Sequence, residues 1–340
     1  MSTATKPVLY EDDTRAWGLV EADALMLLSK LPDNSIDAVV CDPPYGIDIG
    51  GAAWDGRDIR RGRSGGPSVR AEEAFERWTA QWAAGCLRVL KPGGHLLAFG
   101  APRTFHRLVA GVEDAGLQVR DQLLWLHAQG LPKSRRLPEG LATALKPAYE
   151  PIILGRKPFE GTTQSNLDSW GTGALNIEQT RVGNARYWPA HITLSHAPTC
   201  TDAAICTSDC PVGMIDRARP KTQASRLFFC AKATRAEREA GCQQLPRHTV
   251  ALYTGPRRSE RVVRNIHPTI KPASLMRWLV RLAVPPDGIV LDPFCGSGST
   301  GIAAVMEGRT FLGIEREARY VDVACARLTH WAHHAAGGTP

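Results

Sequence analysis

Apolar positions along the chain fall into two patterns: short unbroken runs, and recurrences at three- and four-residue steps. These mark buried strands and amphipathic helices. Residues 35–41 carry Ile36, Ala38, Val39, Val40 and Cys41, which predicts a strand covered on both faces. A strand over 17–23 and a helix over 24–31 precede it. Over 71–90, Phe75, Trp78, Trp82, Cys86 and Val89 recur at helical spacing. Lys91-Pro92-Gly93-Gly94 is expected to stop that helix before a strand over 95–99. A helix over 103–116 and a strand over 118–126 continue the alternation. It resumes after Pro268: Leu275, Trp278, Leu279 and Leu282 share one helix face, followed by strands over 288–291 and 310–314 and helices over 300–307 and 318–328. Such alternation predicts an α/β fold around a doubly wound, mostly parallel sheet.

Two stretches break the rhythm. Residues 46–70 hold many Gly, Arg and Asp and read as a mobile loop, with Arg57, Arg60, Arg61 and Arg63 candidates to close over an anionic ligand. Residues from about 128 to 250 are rich in Gly, Pro, Arg and Thr and read as an inserted region with a separate task. The termini, 1–15 and 331–340, read as frayed.

Charge changes the picture slightly. A net charge of +7 favours a polyanionic partner, though many basic enzymes never meet nucleic acid. Lys133, Arg135, Arg136, Arg156, Lys157, Arg181, Arg186, Arg217, Arg219, Lys221 and Arg226 in the middle, and Arg257, Arg258, Arg261 and Arg264 after it, are candidates for phosphate contacts. The first twenty residues carry Glu11, Asp12 and Asp13 and no apolar run, and no stretch nears the roughly 20 apolar residues of a membrane span. The expectation is a soluble, cytoplasmic protein without a membrane partner. Nine cysteines in a reducing compartment suggest thiols or metal ligands, not disulfides. His196, Cys200, Cys206 and Cys210 have ligand types suited to a structural zinc; unlinked loop thiols are the competing reading.

Two motifs carry chemistry. The strand Ile289-Val290-Leu291 runs into Asp292-Pro293-Phe294-Cys295-Gly296-Ser297-Gly298-Ser299-Thr300 and then a helix. Gly296 and Gly298 allow a sharp turn and close approach of a ligand, and Glu315, ending the next strand, stands where Rossmann-like sites hold ribose hydroxyls. The full spacing of a dinucleotide fingerprint is absent, which favours a nucleoside cofactor without phosphates, as S-adenosylmethionine is. The second motif, Asp42-Pro43-Pro44-Tyr45, follows the strand over 35–41 directly. Exocyclic amines of nucleobases are poor nucleophiles because the ring withdraws their lone pair. Asp42 and the Pro43 carbonyl can accept hydrogen bonds from such an amine, the prolines stiffen the loop, and Tyr45 offers a ring for a base to stack on.

Together these residues resemble the β group of DNA amino-methyltransferases, in which the catalytic motif comes first, the recognition region second and the cofactor motif last. The resemblance extends to His267-Pro268-Thr269-Ile270-Lys271-Pro272 and to residues 146–154, implied to line the target-base pocket. It implies a Rossmann-like methyltransferase sheet whose catalytic half is 1–155 and whose cofactor half is 263–330. The stretch 156–262 would be an inserted target-recognition region. His267, Thr269 and Lys271 would hold the methionine end of the cofactor, with Lys271 on its carboxylate, and Asp23 its adenine. Asp292, Phe294, Gly296, Gly298, Thr300 and Glu315 complete the implied cofactor set. Asp at position 42 resembles members acting on adenine N6, whereas cytosine-N4 enzymes more often carry Ser there. Double-stranded DNA, reached by base flipping, is the implied substrate. Cytosine-N4 methylation of DNA is the first alternative, followed by RNA methylation and a catalytically silent cofactor-binding DNA protein. A homodimer and a cognate restriction enzyme are partners suggested by analogy.

Overall fold

The computed structural model describes residues 8–11, 16–60, 71–127, 137–182, 186–194, 210, 213–214, 217, 228–252, 259–335 and 337. In chain order the strands are β1 (Val8–Glu11), β2 (Trp17–Glu21), β3 (Ile36–Cys41), β4 (Leu90–Phe99), β5 (Gln118–Leu126), β6 (Tyr149–Arg156), β7 (Ile192–Leu194), β8 (Phe228–Phe229), β9 (His248–Leu252), β10 (Ser259–Val263), β11 (Ile289–Asp292) and β12 (Thr310–Glu315). The helices are α1 (Ala24–Leu28), α2 (Arg57–Arg60), α3 (Ala71–Val89), α4 (Phe105–Asp114), α5 (Thr163–Trp170), α6 (Arg235–Glu239), α7 (Ala273–Ala283), α8 (Ser299–Met306) and α9 (Ala318–Ala335).

The main sheet has the order β1-β2-β12-β11-β3-β4-β6-β5-β7-β8. Within it β1 and β6 run against the other strands, so the sheet is mostly parallel. Side chains on a strand alternate between faces. Ala38, Val40, Leu97 and Phe99 therefore join a core with α7, α8 and α9, while Val39, Cys41, Leu96 and Ala98 join a second core with α1, α3 and α4. Both faces are covered, which is why 35–41 reads as an unbroken apolar run.

Three expectations need correction. The helix ends at Val89 as expected, but residues 91–94 already belong to β4, because Gly93 N–H bonds Lys157 O at 3.1 Å and Lys157 N–H bonds Gly94 O at 2.9 Å. Tertiary pairing outweighs the local turn signal there. Residues 46–60 are not a shapeless loop: they form two 3₁₀ turns, Ile49–Gly51 and Ala53–Asp55, followed by α2. The middle region is also less irregular than its composition suggests. Beyond β6, which matches the sheet element expected over 146–154, it supplies β7 and β8 at the sheet edge and α5, whose capping box pairs Thr162 with Ser165. A separate β9–β10 ribbon leads into the segment containing His267.

Of the predicted zinc ligands, His196, Cys200 and Cys206 lie outside the described residues, and Cys210 is buried. Among the described residues no three potential ligands gather as a metal site requires. Among the same residues no helix is long and apolar enough to cross a membrane.

Candidate active site

Adjacent parallel strands carry the two motifs to one edge of the sheet. Val290 and Leu291 of β11 pair with Ala38 and Val39 of β3, so Asp292 and Asp42 emerge side by side at the carboxyl ends. Open α/β sheets bind ligands at such ends, where connections leave in opposite directions. The cavity there is about 880 Å³ and takes in every predicted catalytic and cofactor residue except Gly298. Gly298 instead starts α8 in a left-handed conformation with φ 80°.

The catalytic loop is held from several sides. Asp55, fully buried, accepts from the backbone N–H of Tyr45 at 2.6 Å, Gly46 at 3.1 Å and Ile49 at 2.6 Å. Thr104, preceding α4, donates to Tyr45 O at 2.8 Å. Tyr45, expected to present its ring to a base, is only 8% exposed, and its hydroxyl lies 2.7 Å from Asp42 Oδ1 and 3.1 Å from Glu150 Oε2. Lys271 donates to Asp42 Oδ2 and lies 3.2 Å from both the Tyr45 hydroxyl and Glu150 Oε2. Its ammonium also sits over the Phe99 ring at 4.7 Å. The resemblance implied a cofactor carboxylate as its partner; the fold engages it with the catalytic cluster.

Burial pushes the Asp42 carboxyl above its ordinary range, against the pull of Lys271. Glu150 goes the other way: burial opposes its charge, but Lys271, His127 and Lys232 outweigh it and hold its carboxyl well below the usual range. Lys271 remains firmly charged because Asp42 and Glu150 overcome its burial. Asp292 is pushed up to about 7 by burial, while it accepts from Thr300 Oγ1 at 2.6 Å and Phe294 N–H at 2.9 Å.

The cofactor side of the cavity is acidic and aromatic. Glu315 binds Gly296 N–H at 2.8 Å and Glu317 N–H at 2.9 Å, tying the glycine turn to the end of β12. Asp23 caps α1 through Met26 N–H at 3.2 Å, and its carboxylate lines the cavity. Phe294 packs between Trp78 and Trp82, each with its centroid 5.5 Å away. The lining cations are engaged already: Lys271 as above, and Arg316 with Asp58 at 2.5 Å. Carboxylates dominate the remaining wall. That fits a nucleoside ligand bearing hydroxyls and positive charge and disfavours one bearing phosphates.

Gly296 has φ 53°, and a Cβ there would lie 2.6 Å from His267 Nε2. His267 cannot readily yield, since its Nδ1–H donates to Thr269 O at 2.6 Å and its ring abuts Tyr320 at 4.6 Å. Gly296→Ala is therefore expected to weaken S-adenosylmethionine binding by about tenfold or more, read by calorimetry.

Asp55 and the wall formed by Trp78 and Trp82 were not picked out as site residues, and Glu150 was included only as part of the stretch 146–154. Glu150 had a signal, a carboxylate breaking the apolar character of 148–154 at the start of a buried strand. The two tryptophans fit a core-facing helix stripe equally well. Asp55 had no signal in a loop already rich in Asp and Gly.

A family model described as DNA methylase matches residues 36–326. The chain belongs to that family, the N6/N4 DNA methylases. Among curated relatives, this DNA methylase is 24% identical over 351 residues to the type II methyltransferase M.HindIII of Haemophilus influenzae, covering 91% of this chain and 94% of the relative. It is 20% identical to the type II methyltransferase M.HinfI of Haemophilus influenzae, covering 91% and 67%. Among solved structures, the cytosine-N4-specific PvuII DNA methyltransferase superposes with a TM-score of 0.57 at 16% identity, covering 95% of this chain and 93% of that one. That likeness concerns the fold.

Proposed function

We propose that this methylase is site-specific and transfers the methyl group of S-adenosylmethionine to adenine N6 in double-stranded DNA. The observation that carries the reading is the Asp42 carboxylate standing beside the cofactor turn of β11 in one cavity. When bound, S-adenosylmethionine supplies an electrophilic methyl group. Glu315 and Asp23 would accept from its hydroxyls and adenine amine, with Trp78 and Phe294 flanking the ring. Asp42 and the Pro43 carbonyl would each accept one N–H of the flipped amine, drawing the nitrogen lone pair out of conjugation. After transfer one of these protons leaves along the bond to Asp42. The names of the Haemophilus relatives, both type II methyltransferases, support site specificity. In this reading residues 156–262 recognise the target, and 1–155 with 263–330 carry out the chemistry.

Adenine is the reading favoured by resemblance: members acting on adenine N6 carry Asp at the position of Asp42, whereas cytosine-N4 enzymes more often carry Ser. Incubation of unmethylated DNA with labelled cofactor, followed by nucleoside analysis, tests the assignment. The expected product is N6-methyl-2′-deoxyadenosine. Label found only in N4-methyl-2′-deoxycytidine would overturn the base assignment, and the absence of label from DNA would overturn the activity.

A further inference from the structure

Lys271 is 5% exposed, and the direction of its charge decides its role. An ammonium has three N–H donors. Here they face Asp42 Oδ2, Glu150 Oε2 and the Tyr45 hydroxyl, which leaves no donor for a carboxylate on the cofactor. We propose that Lys271, braced by Glu150, is a positioning residue that keeps the Asp42 carboxylate an acceptor aimed at the incoming amine. The inference rests on the reading that this site methylates an amine.

The need for such a residue follows from what surrounds Asp42. Glu150 on β6 is a negative neighbour, Asp292 on β11 adds to it when ionised, and burial removes water from the site. Each favours a protonated Asp42, which would present an O–H where the amine also presents N–H. Two donors then meet and the contact fails. Lys271, reaching in from the segment before α7, supplies the opposing charge. His127 and Lys232 face Glu150 from the far side, with His127 Nε2 at 3.5 Å, and hold Glu150 as a second anchor for the ammonium.

Tyr45 completes the device. Its single hydroxyl proton can go to Asp42 at 2.7 Å or to Glu150 at 3.1 Å. Rotation towards Glu150 frees Oδ1 for the amine while Lys271 retains Oδ2. No bond other than hydrogen bonds changes in this step.

The test uses the full-length protein with Lys271→Met, Lys271→Arg and Glu150→Gln. It reads kcat against pH on duplex DNA and the S-adenosylmethionine dissociation constant by calorimetry. In Lys271→Met the acidic limb of kcat is expected to move up by about one to three pH units. The cofactor dissociation constant should stay within about threefold of wild type, since this substitution removes no cofactor contact. Lys271→Arg should restore the limb toward its wild-type position. Glu150→Gln should move it down, because a negative neighbour of Asp42 is gone while Lys271 remains. Asp292 is also pushed up by burial, so the shift between variants is the readout.

An unshifted limb in Lys271→Met overturns the proposal. A cofactor dissociation constant weakened more than about tenfold, with the limb in place, reassigns Lys271 to the cofactor. Should Lys271→Met fail to fold, Lys271→Gln, read in the same way, decides, and an unshifted limb there overturns the idea. Absence of methyl transfer by the wild-type protein would instead defeat the underlying activity, which separates the two failures.

Discussion

Asp42→Ala is expected to lower kcat for methyl transfer by about two to three orders of magnitude while leaving S-adenosylmethionine binding nearly intact. The carboxylate sits at the end of β3, where it can accept hydrogen bonds from an amine that the ring otherwise deactivates. Alanine removes that acceptor and leaves only the Pro43 carbonyl in the proposed pair. The cofactor turn on β11 is built from its own contacts, with Asp292 bound by Thr300 and Phe294 and Glu315 bound by Gly296 and Glu317. Calorimetry with S-adenosylmethionine should therefore separate a chemical defect from a binding defect. Asp42→Asn is the sharper variant: it retains one carbonyl acceptor but cannot form the ion pair with Lys271, so its rate should fall between wild type and alanine. Equal rates for alanine and wild type would remove Asp42 from the mechanism.

Asp55→Ala carries the second large expectation. Three backbone N–H groups point at this one buried carboxylate, and they belong to Tyr45, Gly46 and Ile49, the stretch that begins with the last residue of the catalytic motif. A buried donor left without an acceptor costs about 1–3 kcal/mol, so the loss of all three should amount to several kcal/mol, discounted by the water that enters. The unfolding midpoint should fall by several degrees in a thermal melt. The rate should fall further than stability alone explains, because the Tyr45 backbone then loses its N–H bond, keeps the Thr104 bond to its carbonyl, and the loop can drift. A misplacement of about 1 Å in a reacting constellation costs on the order of a hundredfold. Asp55→Asn keeps one acceptor oxygen and should recover part of both losses. An Asp55→Ala protein that melts and turns over like wild type would show that the loop is held by other contacts.

Both predictions depend on contacts that differ in how visible they are from the chain alone. The strand over 35–41 and the turn over 292–300 could be read directly, since burial on both faces of a parallel sheet demands an apolar run and a turn with positive φ demands glycine. These are local requirements, satisfied by neighbouring residues. The order of the motifs likewise identified the cofactor turn and the catalytic loop as partners. β1, within the stretch 1–15 expected to be frayed, and α2 were not foreseen, whereas the helices and strands that were expected in the two halves needed only short adjustments at their ends. The longest was in α9, which continues to Ala335, beyond its predicted end at 328.

The rest lay in pairings between distant segments. Lys271 reaches Asp42 across 229 residues, and Glu150 reaches Tyr45 across 105. Nothing in the spacing of His267, Thr269 and Lys271 distinguishes a lysine that faces the cofactor from one that faces the catalytic carboxylate. The same holds for residues 90–94, whose Pro-Gly-Gly signal yields to pairing with the segment around Lys157, and for Asp55, which looks like any polar residue of a glycine-rich loop. The sequence by itself determined the sheet, the two motif turns and the chemistry their residue types allow, because each rests on periodicity or backbone conformation within a few residues. Only the tertiary structure decided which charges meet at Asp42, because the direction of a buried ammonium is set by the carboxylates that the sheet order brings around it.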